Sequence, residues 1–154
     1  MATVYTIKDT RFIFATNFAG APSRFNPKGE TPNCNVILDE ETAAMLLDAG
    51  FRVKTTKPRE GVEYVPEHYL NLKCSFGGRA DPDIRMIPCR PGEDPTECQQ
   101  IQLTADTVSN IDDARVVRVD VSFADYHHRM GVSGDIRKMR VMVVPDEIDL
   151  EWGF

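Results

Sequence analysis

Apolar residues along this chain recur mostly at every second position. His68–Phe76 is the clearest run: Leu70, Leu72, Cys74 and Phe76 fall on one face, and Tyr69, Asn71, Lys73 and Ser75 on the other. That is the pattern of a strand with one face in a core and the other in water. Arg115–Phe123 alternates likewise, with Val117, Val119, Val121 and Phe123 predicted inward. Shorter runs rich in branched and aromatic residues predict strands at Thr10–Phe14, Asn33–Leu38, Phe51–Lys57, Ile84–Ile87 and Ile136–Val144. In Phe51–Lys57, Phe51, Val53 and Thr55 share one face, and Arg52, Lys54 and Thr56 the other.

The period changes after Leu38. Asp39 suits an N-cap, Glu40 and Glu41 sit where a helix dipole favours acids, Ala43 to Leu47 continue a helix, and Gly50 closes it. Thr104–Asn110 suits a second short helix capped by Thr104. Asn17–Pro32 reads as a long loop, Lys57–Gly61 as a turn, and Arg90–Gln100, rich in proline and polar residues, as a mobile loop. Strands without a strand–helix–strand rhythm, and a helix before the last two, predict a mainly β fold. It is read as an OB-fold-like antiparallel barrel of five to six strands with one or two short helices, a small β-sandwich being the alternative.

At 154 residues, 42% hydrophobic and 27% charged, the chain reads as one soluble globular domain with a core of useful size. No apolar run has membrane-spanning length, and the start lacks a signal-peptide layout. Cys34, Cys74, Cys89 and Cys98 are widely spaced, and adjacent His127 and His128 would point to opposite strand faces, so reduced thiols and no metal or cofactor are expected. Nucleotide-loop, HExxH and GxSxG motifs are absent. Asp39-Glu40-Glu41 is better read as a helix start and Asp112-Asp113 as a turn than as a nuclease's metal site, so no enzyme is expected.

Candidate chemistry lies on the outward faces. Binding a single strand of nucleic acid needs cations that follow the phosphates and aromatics on which bases stack. Arg52 and Lys54 share a face, as do Tyr69 and Lys73, and Lys57 and Arg59 lie in the turn between them. Phe25 and Lys28 put an aromatic and a cation in the long loop, Tyr126 to Arg129 cluster after one strand, and Arg137, Lys138 and Arg140 line the last. The same residues also fit a solvated surface, with Tyr69 at a barrel edge.

Residues 1–144 form the expected domain, and residues 145–154 a tail. The tail's four acids account for −4 of the net charge of −6, leaving −2 for the rest. Asp146, Glu147, Asp149 and Glu151 with Trp152 and Phe154 suit docking in a basic, apolar-lipped pocket on a partner, or shielding a basic groove of the chain itself. A frayed acidic terminus is the alternative.

Several short motifs then run in order: Phe25-Asn26-x-x-Gly29, Val36-x-Leu38-Asp39, Ala43-Ala44-x-x-Leu47, Gly50-Phe51-x-Val53-Lys54, Lys57-Pro58-Arg59-Glu60 and Tyr69-Leu70-x-Leu72. In this the chain resembles a family of small bacteriophage single-stranded-DNA-binding proteins, most clearly from Phe18 to Phe76 and again through Val116–Val121 and Lys138–Val144. Where relatives have Pro-Tyr-x-Trp and Gly-Ile-x-Ala-Tyr-Leu segments, this chain has Asp125-Tyr126-His127-His128 and Gly134-Asp135-Ile136-Arg137.

The resemblance implies an OB-fold that binds single-stranded DNA without sequence preference, in the cytoplasm of a bacterial host. It also implies an acidic tail that recruits replication or recombination proteins. It leaves a homodimer open. The rival expectation is an OB-like protein-interaction or inhibitory module that binds no DNA.

Overall fold

The computed structural model describes residues 3–22, 27–57, 61, 66–77, 81–90 and 92–145. The fold is mainly β. Its elements are β1 (Val4–Thr10), β2 (Asn33–Leu38), helix α1 (Glu40–Asp48), β3 (Lys54–Thr55), β4 (His68–Lys73), β5 (Asp83–Pro88), β6 (Ile101–Leu103), β7 (Val116–His128) and β8 (Gly131–Val143). Short 3-10 turns lie at Pro95–Glu97 and Val108–Asp113.

The sheet runs β1-β7-β8-β4-β2, with β3 beside β4, and β5 and then β6 beside β8. Eight strands therefore replace the expected five or six. The pairing is also mixed, because β8 runs parallel to β4 at Leu72–Gly134 and Lys73–Asp135 and parallel to β5 from Asp83–Lys138 to Pro88–Val143. Alternation reports which face a residue takes, not which strand lies beside it, so the partners and their direction were not readable.

The ladder is open between β1 and β2. The segment following β1 crosses that gap through single pairs, Phe12 opposite Val36 and Asn17 opposite Asn33. Between these pairs the first segment takes five steps and β2 three, so two extra residues bulge outward. Phe14 sits in that bulge at φ 63°. A left-handed backbone at a bulky residue costs roughly 1–2 kcal/mol. The predicted strand Thr10–Phe14 is corrected accordingly: the regular strand is Val4–Thr10, and residues 11–14 are irregular.

Helix α1 forms as predicted. Asp39 caps it, its carboxylate accepting from the Thr42 N–H at 2.7 Å, which holds its pKa below the ordinary value. At the other end the Gly50 N–H donates to the Leu47 carbonyl and the Phe51 N–H to the Leu46 carbonyl, with Gly50 at φ 95°. This is the paired-bond stop that favours glycine. Leu46 and Phe51 are both buried beside it.

The core gathers Val36 and Leu38 of β2, Leu70 and Leu72 of β4, Val119, Val121 and Phe123 of β7, and Ile136, Met139 and Val141 of β8. Each fully buried side chain of this size contributes about 1.5–3 kcal/mol. Tyr5, Phe51 and Phe123 meet with ring centroids 5.3–5.7 Å apart, joining β1, the end of the helix turn and β7.

Three further expectations need correction. The predicted strand Phe51–Lys57 shrinks to Lys54–Thr55, because Gly50 and the buried Phe51 still belong to the helix stop. Val117 is 54% exposed, since a register shift between Val116 and Arg118 turns it out of the core. The helix expected at Thr104–Asn110 is a 3-10 turn at Val108–Asp113, shifted because Val108 and Ile111 are the buried anchors. Asp112 belongs to that turn and is an anchor in its own right. Its carboxylate accepts from the Thr16 hydroxyl at 2.6 Å and from the Phe18 and Ala19 N–H groups at 2.9 Å, fixing the start of the long loop.

All four cysteines are free, and burial pushes the Cys74 and Cys89 thiols up to about 12. Among the described residues no helix is long and apolar enough to cross a membrane.

Candidate nucleic-acid interface

The alternation of β4 buries Leu70 and Leu72 and turns Tyr69, Asn71 and Lys73 outward. β3 pairs along the same strand so that Lys54 stands opposite Tyr69. These residues form the floor of a groove of about 450 Å³. Arg52 and Asn35 complete its sides, Phe14 lines it next to Tyr69, and His128, Val132 and Ser133 form its far wall.

The Phe14 and Tyr69 rings meet edge to face, 5.1 Å apart and 83° to each other. The two Asn71 amide hydrogens go to the Asn33 and Asn35 side-chain oxygens at 3.1 and 3.3 Å.

The far wall is held from both sides. Arg52 Nη2 donates to the Met130 carbonyl at 2.6 Å, tying the β7–β8 turn to the segment after α1. The Met130 N–H donates to His128 Nδ1 at 3.2 Å, so the neutral ring carries its proton on Nε2, which is 2.7 Å from the Ser133 hydroxyl. Tyr126 stacks on His128 with centroids 5.7 Å apart. On the opposite strand face, Asp125 holds His127 at 2.9 Å. Hydrogen bonds from His127 and from the Thr3 N–H keep the Asp125 pKa below the ordinary value.

Three of the described cations converge on this groove. Arg52, Lys54 and Lys73 make no salt bridge among the described residues. Elsewhere Arg85 pairs with Asp83, Arg118 with Asp9 and Asp120, and Arg11 with Glu67, while the other described lysines and arginines likewise make no salt bridge among the described residues. Three cations beside the exposed Phe14 and the half-buried, outward Tyr69 suit a polyanion whose bases are unpaired.

Residues 3–152 of the sequence match the family described as "Putative phage ssDNA-binding domain". The chain belongs to this phage family. No curated protein matches it. Among solved structures it is similar to the crystal structure of gp2.5, a single-stranded DNA binding protein encoded by bacteriophage T7. The TM-score is 0.41 and the identity 10%, with 100% of this chain and 96% of that chain covered.

Of the residues singled out from sequence in this phage-family chain, the fold brings Arg52, Lys54, Tyr69 and Lys73 together. Lys57 is exposed just past β3, Lys28 in the long loop, and Tyr126 and Arg129 at the β7–β8 hairpin; none of these lines the groove. Arg137, Lys138 and Arg140 are exposed on β8 but lie apart from it. Arg137 is an extra residue, since Lys138 pairs with Ser122 and Ile136 with Phe123. Lys138 stands between Ser122 and Asp83, and Arg140 between Asp120 and Arg85, so acids are interleaved there. Phe25, Arg59 and the tail residues Asp146, Glu147, Asp149, Glu151, Trp152 and Phe154 lie outside the described residues.

The groove also contains His128 of the Tyr126–Arg129 cluster, and residues that sequence reasoning did not select. Asn35 and Asn71 were legible as outward positions of alternating strands, and His128 as part of an aromatic-basic cluster. Phe14 had no such signal, because an aromatic in a branched run reads as core.

Proposed function

We propose that this protein binds single-stranded DNA with little sequence preference. Arg52, Lys54 and Lys73 contact successive phosphates, and Tyr69 takes a base. Lys28, Lys57, Arg129 and Tyr126 extend the track beyond the groove. Arg137, Lys138 and Arg140 serve as a weaker lateral surface. The observation that carries this reading is the convergence of Arg52, Lys54 and Lys73 with Tyr69 in one groove, in a chain of this family. A net charge of −6 does not oppose it, because affinity follows the local potential of the groove.

In this reading the protein is a binding protein rather than an enzyme and supports phage DNA replication or recombination. The segment 145–154 recruits partner proteins. Its support is composition: four acids, no base, and two aromatics in ten residues.

The test is equilibrium binding to oligo-dT and to a duplex of equal length across a salt series. Preferential binding to the single strand is expected, with a log–log salt slope near −2 for about three phosphate contacts. Equal affinity for the two forms, or none for either at low salt, would leave the protein-interaction reading in its place.

A further inference from the structure

Phe14 is on the wrong side of its own pattern. Residues two apart in a strand share a face, and Phe12 packs against Phe18 at 6.0 Å on the core side. Regular backbone would carry Phe14 inward as well. Instead it is 54% exposed, with its ring against Tyr69 in the groove.

The two-residue bulge makes the reversal, and the chain is pinned on both sides of it. The Ile13 N–H donates to the Asn35 carbonyl at 3.0 Å, and Asn17 and Asn33 exchange backbone hydrogen bonds at 2.9 and 3.0 Å. Thr16 is held by Asp112 at 2.6 Å. A left-handed φ of 63° at phenylalanine is an unfavourable backbone, and it persists because these ties over-determine it. An aromatic withdrawn from the core at the expense of backbone strain is accounted for by a role at the surface it reaches.

We propose that Phe14 is a base-stacking residue of the groove, and that Phe14 and Tyr69 together form a corner that takes one base. This rests on the single-strand-binding reading above and adds a residue to it. The rings lie 83° apart, so a base flat on Phe14 stands edge-on to Tyr69, an arrangement aromatic systems favour. Lys54, opposite Tyr69, and Lys73, two residues beyond Asn71, stand where the flanking phosphates leave the corner. Among the described residues no hydrogen bond occupies the side-chain Oδ1 of Asn71 or the side-chain Nδ2 of Asn35. The corner therefore offers one acceptor and one donor to the edge of a base. All four bases carry both kinds of group, so the corner holds a base without selecting one.

The experiment compares the full-length protein with Phe14→Leu and Phe14→Tyr on two probes of equal length, oligo-dT and an abasic strand, at fixed salt, with melting temperatures measured alongside. Leucine keeps apolar bulk at the same backbone and removes the ring face. Phe14→Leu is expected to weaken oligo-dT binding about tenfold to a hundredfold, leave abasic binding unchanged and melt close to the wild type. Phe14→Tyr is expected to restore oligo-dT affinity. If the wild type binds oligo-dT and Phe14→Leu binds it equally well, or loses as much on the abasic strand, the corner is refuted while the DNA-binding reading stands. If the wild type binds neither probe, both fall.

Discussion

Lys54 stands directly opposite Tyr69 in the β3–β4 pair, a cation beside an outward aromatic, and the neighbouring Lys73 and Arg52 carry no acidic partner among the described residues. This juxtaposition makes the electrostatic and stacking contributions to binding separable by mutation.

Removing charge at Lys54 and Lys73 together is expected to weaken binding to all single-stranded sequences similarly. The salt slope should flatten by about 0.7 per lost phosphate contact. Both side chains are exposed, so circular dichroism and melting should match the wild type. A folded double alanine variant with an unchanged slope would show that these lysines are only solvated surface.

Tyr69→Ala is expected to cost about 1–3 kcal/mol of binding to oligo-dT. The side chain points away from the core residues Leu70 and Leu72, so melting should shift little. A large drop in melting temperature would instead make Tyr69 part of the core.

Gly134 is buried where β8 passes β4, and a methyl group there would lie 2.6 Å from Leu72 and 2.9 Å from Phe123. Both neighbours are core side chains with little room to retreat. Gly134→Ala is therefore expected to destabilise the fold by about 1–3 kcal/mol, readable by urea denaturation. A neutral result would mean that β4 and β8 separate easily.

Acid should weaken the fold in part through Asp39. Its carboxyl pKa lies below the ordinary 3.8 because it accepts the Thr42 N–H in the folded state. A depressed folded value means that the stability it contributes is complete above the ordinary value and is lost as pH falls through the folded one. Asp39→Ala is expected to cost about 1 kcal/mol at neutral pH. Asp39→Asn can still cap, so it should retain most of the stability and flatten the acid limb. Parallel acid limbs for Asp39→Asn and the wild type, measured by denaturation at pH 2 to 6, would remove Asp39 from the account.

Deleting residues 145–154 removes four negative charges. If the tail competes with DNA for the groove, deletion should raise oligo-dT affinity modestly at low salt and little at high salt, where screening acts. It should also abolish partner recruitment. A protected, blue-shifted Trp152 fluorescence in the free protein would instead make the tail part of the folded structure.

The elements that sequence revealed best are those whose information is local. The Asp39 cap and the Gly50 stop are legible because each depends on residues within one turn of the helix. The outward faces of β2 and β4 are legible because alternation has a fixed period. Arg52, Lys54, Tyr69 and Lys73 could be proposed as one site for that reason. Arg137, Lys138 and Arg140 were grouped with them because composition does not show that Asp83 and Asp120 sit alongside.

The sequence by itself therefore determined a mainly β chain, its helix with both ends, and which side chains of β2 and β4 face outward. These follow from short-range sterics, hydrogen bonding and burial period. Tertiary structure alone decided that β8 joins β4 and β5 in parallel, that Val117 leaves the core and that Asp112 anchors the long loop. It also turned Phe14 into the groove. Each of these depends on a register shift, a bulge or a contact between residues far apart in the chain. A strand's period is blind to its partner, and a single extra residue reverses every face that follows it.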